Sequence, residues 1–281
     1  MMTVAEMKKA ELIEELKKIG LQEGMEIEVH SSLSSLGHVE GGAETVIEAL
    51  MECVTERGSI FMPSLCFGPE LELTEEDRNM GITVKIKILP EDEPRTAMGI
   101  IADTFRQRAD VITGTGVIRT SGWGLHADEA AKGGLNYVIR NGGKALLLGV
   151  DIYKLTAMHY MEDVMPEEIN DMFAPTEEAG NKYPEDEWLV ECGEPPVKPW
   201  YAIQDMAYQK GLIKEGYIGK CKYMFFDIWD VVSLYKKELE TDPFRLYGLD
   251  YYSLSEDMNN QGDGKNDRIW SFSNEFGGDM Q

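Results

Sequence analysis

The stretch from Gly24 to Pro63 constrains this chain most. Gly24 opens a short run, Ile27-Glu28-Val29-His30, that reads as a strand. A Ser-rich turn, Ser31 to Gly37, follows it. From about Gly42 to Thr55 apolar residues recur at helical spacing, with Ala43, Val46, Ile47 and Leu50 on one face. Gly58-Ser59-Ile60-Phe61-Met62-Pro63 then reads as a second, buried strand. Strand, helix and strand in that order form a βαβ unit with a loop at the carboxyl end of its first strand. In open α/β sheets, ligands bind at such loops.

The remaining elements extend the same pattern. Upstream, Val4 to Ile19 has one apolar helical face, Leu12, Ile13, Leu16 and Ile19, and Gly20 ends it. Downstream, Phe67 to Pro94 is an irregular acidic excursion with a possible strand at Ile82 to Ile88. Thr96 to Arg106 reads as a helix, Val111 to Gly124 as loop with short extended pieces, and Leu125 to Asn141 as helical. Lys144 to Val150 is a third buried strand, and a helix starts at Thr156 and runs to Val164. Pro166 to Pro199 is polar and Pro-rich and suits antiparallel strands; Ile203 to Gly211 and Ile228 to Thr241 are helical. The expected fold is therefore α/β: a central mixed sheet flanked by helices on both faces, with a small inserted polar subdomain at about 163–200. Residues 1–246 form the single predicted domain. The stretch 247–281 is an Asn-, Gly- and Asp-rich tail with too few apolar residues to build a core, partly disordered or draped over the body.

Charge and cysteine usage narrow the function. Lys and Arg number 27 against 51 Asp and Glu, a formal net charge of −24. So acidic a surface repels phosphate backbones and argues against nucleic acid as the main partner. It attracts polycationic small molecules, although acidity can equally serve solubility alone. The four cysteines, Cys53, Cys66, Cys192 and Cys221, form no C-x-x-C pair, so no zinc site is indicated and no metal is expected. Scattered cysteines and the lack of an apolar leader or membrane-length run lead us to expect a cytoplasmic protein with no membrane partner. A monomer or homodimer is expected.

Two segments carry candidate chemistry. Thr156-Ala157-Met158-His159-Tyr160-Met161-Glu162 follows directly on the third strand. His159 and Glu162, three residues apart, share a helical face within reach of each other. A carboxylate beside an imidazole fixes its tautomer and stabilises the imidazolium, which improves His as a general base. Thr156 can cap that helix or donate a hydrogen bond to a bound group. Taken alone, H-x-x-E also describes a surface His with a helical neighbour, or part of a metal site. Asp151 and Asp163, flanking this segment, are the acidic candidates for contact with a cationic acceptor. The second segment is the turn Ser31 to Gly37, whose N–H groups and hydroxyls can hold phosphate oxygens, or which is simply a capped turn. His30 reads as a buried polar group bonded to nearby backbone, His38 as exposed, and Tyr223, Phe225, Phe226 and Trp229 as core.

Six stretches in order resemble one family. V-H-S-S-L-S-S-L-G (Val29 to Gly37), G-G-A-E-T-V-I-E-A-L (Gly41 to Leu50) and G-S-I-F-M-P (Gly58 to Pro63) are similar to the opening of the aminoglycoside 3-N-acetyltransferases. T-A-M-G-I-I-A-D-T-F-R (Thr96 to Arg106) resembles that family's M-G-x-[IL]-x-E-x-F-R stretch. L-L-L-G-V with T-x-x-H-x-x-E resembles its active-site segment. Gly216 to Gly219 and Leu239 to Pro243 resemble its closing helix.

The resemblance implies acetyl-CoA as co-substrate, no metal, and an aminoglycoside or other polyamine as acceptor, an antibiotic-resistance activity. It implies His159 as general base oriented by Glu162, with Thr156 alongside. It implies that Ser31, Ser32, Leu33, Ser35, Leu36 and Gly37 receive the CoA diphosphate and pantetheine. Arg119 and Thr120 stand where the family has R-S of its R-S-x-H-P-x-x-S segment; the His-Pro pair is replaced, and His126 falls where Ser is expected. These departures are expected near the thioester and acceptor sites. A different amine acceptor, such as an amino sugar or a biosynthetic amine, and a non-catalytic polycation-binding protein remain open.

Overall fold

In the computed structural model, which describes residues 6–249, β1 (Glu26–Ser31) is the axis of the molecule. It pairs in parallel with β2 (Ser59–Pro63) on one side and with β7 (Lys144–Leu148) on the other. The other named strands are β3 (Phe67–Glu70), β4 (Ile82–Ile88), β5 (Ile112–Thr113), β6 (Thr120–Gly124), β8 (Trp188–Cys192), β9 (Lys214–Ile218) and β10 (Cys221–Asp227). Seven of the ten form a mixed sheet in the order β5-β6-β2-β1-β7-β10-β9. β6 and β10 run antiparallel to their inner neighbours.

Alternation along the strands divides the core in two. Leu146 and Leu148 of β7 and Ile27 and Val29 of β1 face the helices Lys9–Ile19, Gly42–Val54 and Ile100–Arg106. Ala145 and Leu147 face the opposite layer, made by Asn136–Arg140, Pro199–Gln209 and Ile228–Thr241. β7, covered on both faces, needs the continuous apolar run Ala145-Leu146-Leu147-Leu148. The expected sheet, its two helical layers and its first three strands are present.

The polar subdomain differs in make-up from the expected insertion. β8, from the 163–200 segment, pairs antiparallel with β4, which in turn pairs with β3. The excursion after β2 and the later insertion therefore build one three-stranded sheet together. It carries its own polar anchor: Asp77, fully buried, accepts from Lys85 Nζ and from Tyr183 Oη (2.5 Å). These donors, outweighing burial, hold the Asp77 carboxyl well below the usual range.

Other local expectations are corrected. The 125–141 stretch is two short helices, Glu129–Gly133 and Asn136–Arg140, broken where Gly134 takes positive φ. Gly216 to Ile218 lies in β9, not in a closing helix, because the stretch completes the sheet edge beside β10. Trp229 is 47% exposed, although Phe225 and Phe226 are core as expected. Tyr247, assigned above to the tail, is buried against the helix Ile228–Thr241. Residues 250–281 of that tail, and the leading residues 1–5, lie outside the described residues.

Gly149, just past β7, shows how tightly the two ligand-side turns meet. A Cβ there would lie 2.2 Å from Ser35 Cβ, and its φ is +69°. Gly149→Ala is expected to cost about 2 kcal/mol from overpacking and backbone strain, lowering Tm by roughly 4–8 °C. Thermal melting followed by circular dichroism checks this. Adding Ser35→Gly restores only the steric part of the loss.

Candidate active site

The parallel strands β2, β1 and β7 deliver their carboxyl ends to one edge of the sheet. From β1 the chain runs to the helical side through Gly42–Val54, and from β7 it crosses to the other layer, so the crevice between β1 and β7 is a topological switch point. Two turns meet there. One is Ser31 to Gly37, containing the short helix Leu33–Leu36. The other leads from Gly149 through the 3-10 turn Ile152–Lys154 into Thr156–Val164.

Thr156–Val164 is a 3-10 helix rather than the α-helix its spacing suggests. In a 3-10 helix residues i and i+3 eclipse, so His159 and Glu162 stand directly over one another. His159 Nδ1 lies 2.8 Å from Glu162 Oε2. Assigning Nδ1–H as donor to the carboxylate puts the imidazole lone pair on Nε2. The carboxylate is itself fixed: Tyr235 Oη donates to Glu162 Oε1 at 3.1 Å and lies 2.7 Å from Tyr247 Oη. Burial, then the nearby carboxylate, pushes both tyrosines well above their usual range, so they remain protonated donors. Trp200 meets the His159 ring edge-on at 4.8 Å, with Tyr153 stacked behind it at 5.2 Å.

Desolvation works against the charged form of His159. The Glu162 carboxylate, by charge and by hydrogen bond, and Glu191 outweigh it, so the pKa is raised above 6.5. The ring is 40% exposed and opens on a cleft of about 1100 Å³ between the main body and the three-stranded sheet. Carboxylates dominate the charged lining: Glu70, Glu162, Glu185, Asp186, Glu191 and Glu194 against Lys154 and Lys198. Burial raises the Glu191 carboxyl, and Glu162 and Glu70 add to the shift while His159 opposes it.

The remaining sequence candidates are placed as follows. Thr156 is buried beside the sheet, its N–H 3.3 Å from His30 Nε2. Asp151 Oδ1 caps the 3-10 turn through the Tyr153 N–H, and its Oδ2 accepts from Tyr201 Oη. It thus holds a cleft residue without lining the cleft itself. Asp163 is exposed and outside the cleft lining. In the Ser31 to Gly37 turn, Ser32 and Ser34 hydroxyls pair at 3.0 Å, Ser35 Oγ donates to the Gly149 carbonyl, Leu36 is buried, and Leu33 packs against the core. Gly37 has open space where a Cβ would be. Arg119 is buried, its guanidinium donating to the Ser64 carbonyl and to Glu91, and Thr120 is buried next to it.

His126 is a correction. Gly124 pairs with Ser59, the first residue of β2, so β6 carries the chain to the amino ends of the parallel strands. There His126 Nδ1 bonds Glu26 and its ring lies 4.5 Å from Tyr137. The altered segment therefore starts at the site edge of the sheet, at Thr120, and ends at the opposite one. Among the described residues no group of His, Cys, Asp and Glu could hold a metal ion.

Sequence reading did not find Tyr235, Tyr247, Trp200 or Glu191. Tyr235 lies on the buried face of Ile228–Thr241, and the signal available was its hydroxyl, which needs a partner when buried.

A family model described as aminoglycoside 3-N-acetyltransferase matches residues 29–240. The SPbeta prophage-derived aminoglycoside N(3')-acetyltransferase-like protein YokD of Bacillus subtilis is 57% identical over 56 residues, 20% of this chain and 21% of that protein. Aminoglycoside N(3)-acetyltransferase III of Salmonella sp. is 30% identical over 175 residues, 54% of this chain and 59% of its own length. The matches thus span from about a fifth to three fifths of these relatives. Among solved structures, aminoglycoside acetyltransferase AAC(3)-IVa in complex with a gentamicin shares 22% identity at a TM-score of 0.64, covering 87% of this chain and 92% of that one. AAC-IIIb, binary with CoASH, shares 18% at a TM-score of 0.60, covering 84% and 97%. At these identities the likeness concerns the fold.

An NMR titration of the His159 ring should give a pKa above 6.5, and Glu162→Gln should move it downward. Because the folded value is raised, the stability this pair contributes is complete below the unfolded value and is lost as pH rises through the folded one.

Proposed function

The chain belongs to the aminoglycoside 3-N-acetyltransferase family, and from that premise we propose that it transfers an acetyl group from acetyl-CoA to an amine of an aminoglycoside, with His159 as general base. One observation carries the reading: the His159–Glu162 pair opens on a cleft with six carboxylates and two ammonium groups in its lining. Such a lining favours a polycationic acceptor and raises its local concentration.

Amino groups are largely protonated at neutral pH, and an ammonium has no lone pair with which to attack. The carboxylates therefore bind what the base must then convert. His159 Nε2 removes the proton, and Glu162 stabilises the imidazolium that forms. Tyr235 and Tyr247 keep the carboxylate in place so that little reorganisation accompanies the transfer. The edge of Trp200 keeps the ring from swinging away. Holding amine and donor together supplies much of the remaining advantage, without a covalent intermediate on the protein.

The residues at the β1–β7 crevice fit the donor in kind. Ser32 and Ser34 offer hydroxyls, and the open space at Gly37 permits close backbone approach. They would hold acetyl-CoA, which supplies an activated thioester carbonyl when bound. Arg119 fits less directly, since a phosphate would have to compete with Glu91 for its guanidinium. The CoA complex of a chain with this fold and the family membership support this donor. The gentamicin complex of another supports the acceptor class.

His159→Ala is expected to lower kcat/KM by about 10²–10⁴-fold while CoA affinity, read by calorimetry, changes little. In the wild-type protein the rate should rise with pH as His159 loses its proton, with the midpoint above 6.5. Unchanged turnover in a folded His159→Ala protein would remove the assignment.

A further inference from the structure

The middle strand of a sheet covered on both faces tolerates charge least. β1 nevertheless carries Glu26, Glu28 and His30 at alternate positions, all projecting from the face opposite Ile27 and Val29. Glu28 is wholly buried. Its Oε1 lies 2.7 Å from His30 Nε2 and accepts the Ala157 N–H at 3.2 Å. With the carboxylate able only to accept, His30 Nε2–H is the donor to Glu28, and the Thr156 N–H lies 3.3 Å from that same nitrogen without an acceptor lone pair there. The second carboxylate oxygen, Oε2, has no hydrogen-bond partner among the described protein groups. What this buried carboxylate holds outside its own strand is the helix that carries His159.

Thr156 and Ala157 are the first two residues of the 3-10 helix that carries His159 and Glu162. The first N–H groups of a helix have no partner within it. Here the Ala157 N–H is taken by a carboxylate 129 residues away in the chain. A 3-10 helix is weakly bonded internally, and a one-residue slip in its start turns every side chain by about 120°. Such a slip would take His159 off Glu162 and out of the cleft.

We infer that Glu28 and His30 are positioning residues for the transfer reaction: Glu28 clamps the Ala157 amide of Thr156–Val164 to the centre of the sheet, His30 fixes the Glu28 carboxylate, and together they set where His159 stands. The inference rests on the reading of His159 as the base. Neither residue lines the cleft.

The test compares wild-type protein with Glu28→Ala and Glu28→Gln, each checked for a cooperative melt. Glu28→Ala should lower kcat on the order of 10–100-fold, with KM for acetyl-CoA and for the acceptor within about twofold of wild type. Amide exchange at Ala157, followed by NMR, should quicken about tenfold or more. Glu28→Gln keeps an acceptor for the Ala157 N–H and should recover most of both losses. Should Glu28→Ala fail to fold, His30→Ala, which frees the Glu28 carboxylate, is expected to lower kcat and quicken exchange at Ala157 in the same direction. Unchanged kcat, or unchanged exchange at Ala157, in a folded variant overturns the clamp. If the wild-type protein acetylates no amine, the reading of His159 fails, and the exchange measurement decides the clamp without it.

Discussion

Parallel pairing of β1 with both its neighbours is the constraint on which the rest depends. Its register sets Ser31 opposite Leu148, and the Ser32 N–H closes the pairing on the Leu148 carbonyl at 2.8 Å. Both strands therefore end at the same level. The two turns that leave them must share one crevice, and the 2.2 Å that a Gly149 Cβ would leave from Ser35 measures how little room they have. Because parallel strands need crossovers, helices cover both faces. That cover makes the strands apolar, and it makes the polar residues left in β1 informative.

Around His159 the electrostatics work at two ranges. At close range, one carboxylate oxygen faces the imidazole and the other is held by a pair of buried tyrosines. At longer range, the acidic cleft and a net charge of −24 favour cations and disfavour an anionic donor. The Ser31 to Gly37 turn, proposed above for the anionic donor, lies outside the acidic cleft lining. A single pocket of either sign would serve one substrate at the expense of the other.

Much of this was legible in the sequence because it depends on local periodicity. The runs Ile60-Phe61-Met62 and Ala145 to Leu148, and the faces of Lys9–Ile19 and Gly42–Val54, declare themselves by spacing. The possible strand at Ile82 to Ile88 has those bounds as β4. His159 and Glu162 were found because they are three apart. What spacing cannot express is partnership across distance. β4 and β8 pair across about a hundred residues, and Tyr235 reaches Glu162 from Ile228–Thr241 with Tyr247 bonded behind it. The 3-10 form of Thr156–Val164 was hidden because its apolar residues suit either helix. His126 was expected near the site because it falls where the family's R-S-x-H-P-x-x-S segment has its last Ser, but the five-residue strand Thr120–Gly124 carries the chain to the opposite end of the parallel strands.

The three-stranded sheet gives the cleft a wall of separate origin. His159, Glu162 and the β1 turn stand on the side of the seven-stranded sheet, whereas Phe67, Thr83, Trp188 and Glu191 of the opposite wall come from two excursions whose strands pair only with each other. Surface excursions accept insertions and substitutions that a central sheet does not. The Asp77–Lys85–Tyr183 anchor keeps that wall folded on its own polar contacts. A change of length or charge in that wall would therefore reshape the cleft without disturbing the strands that place His159 and Glu162.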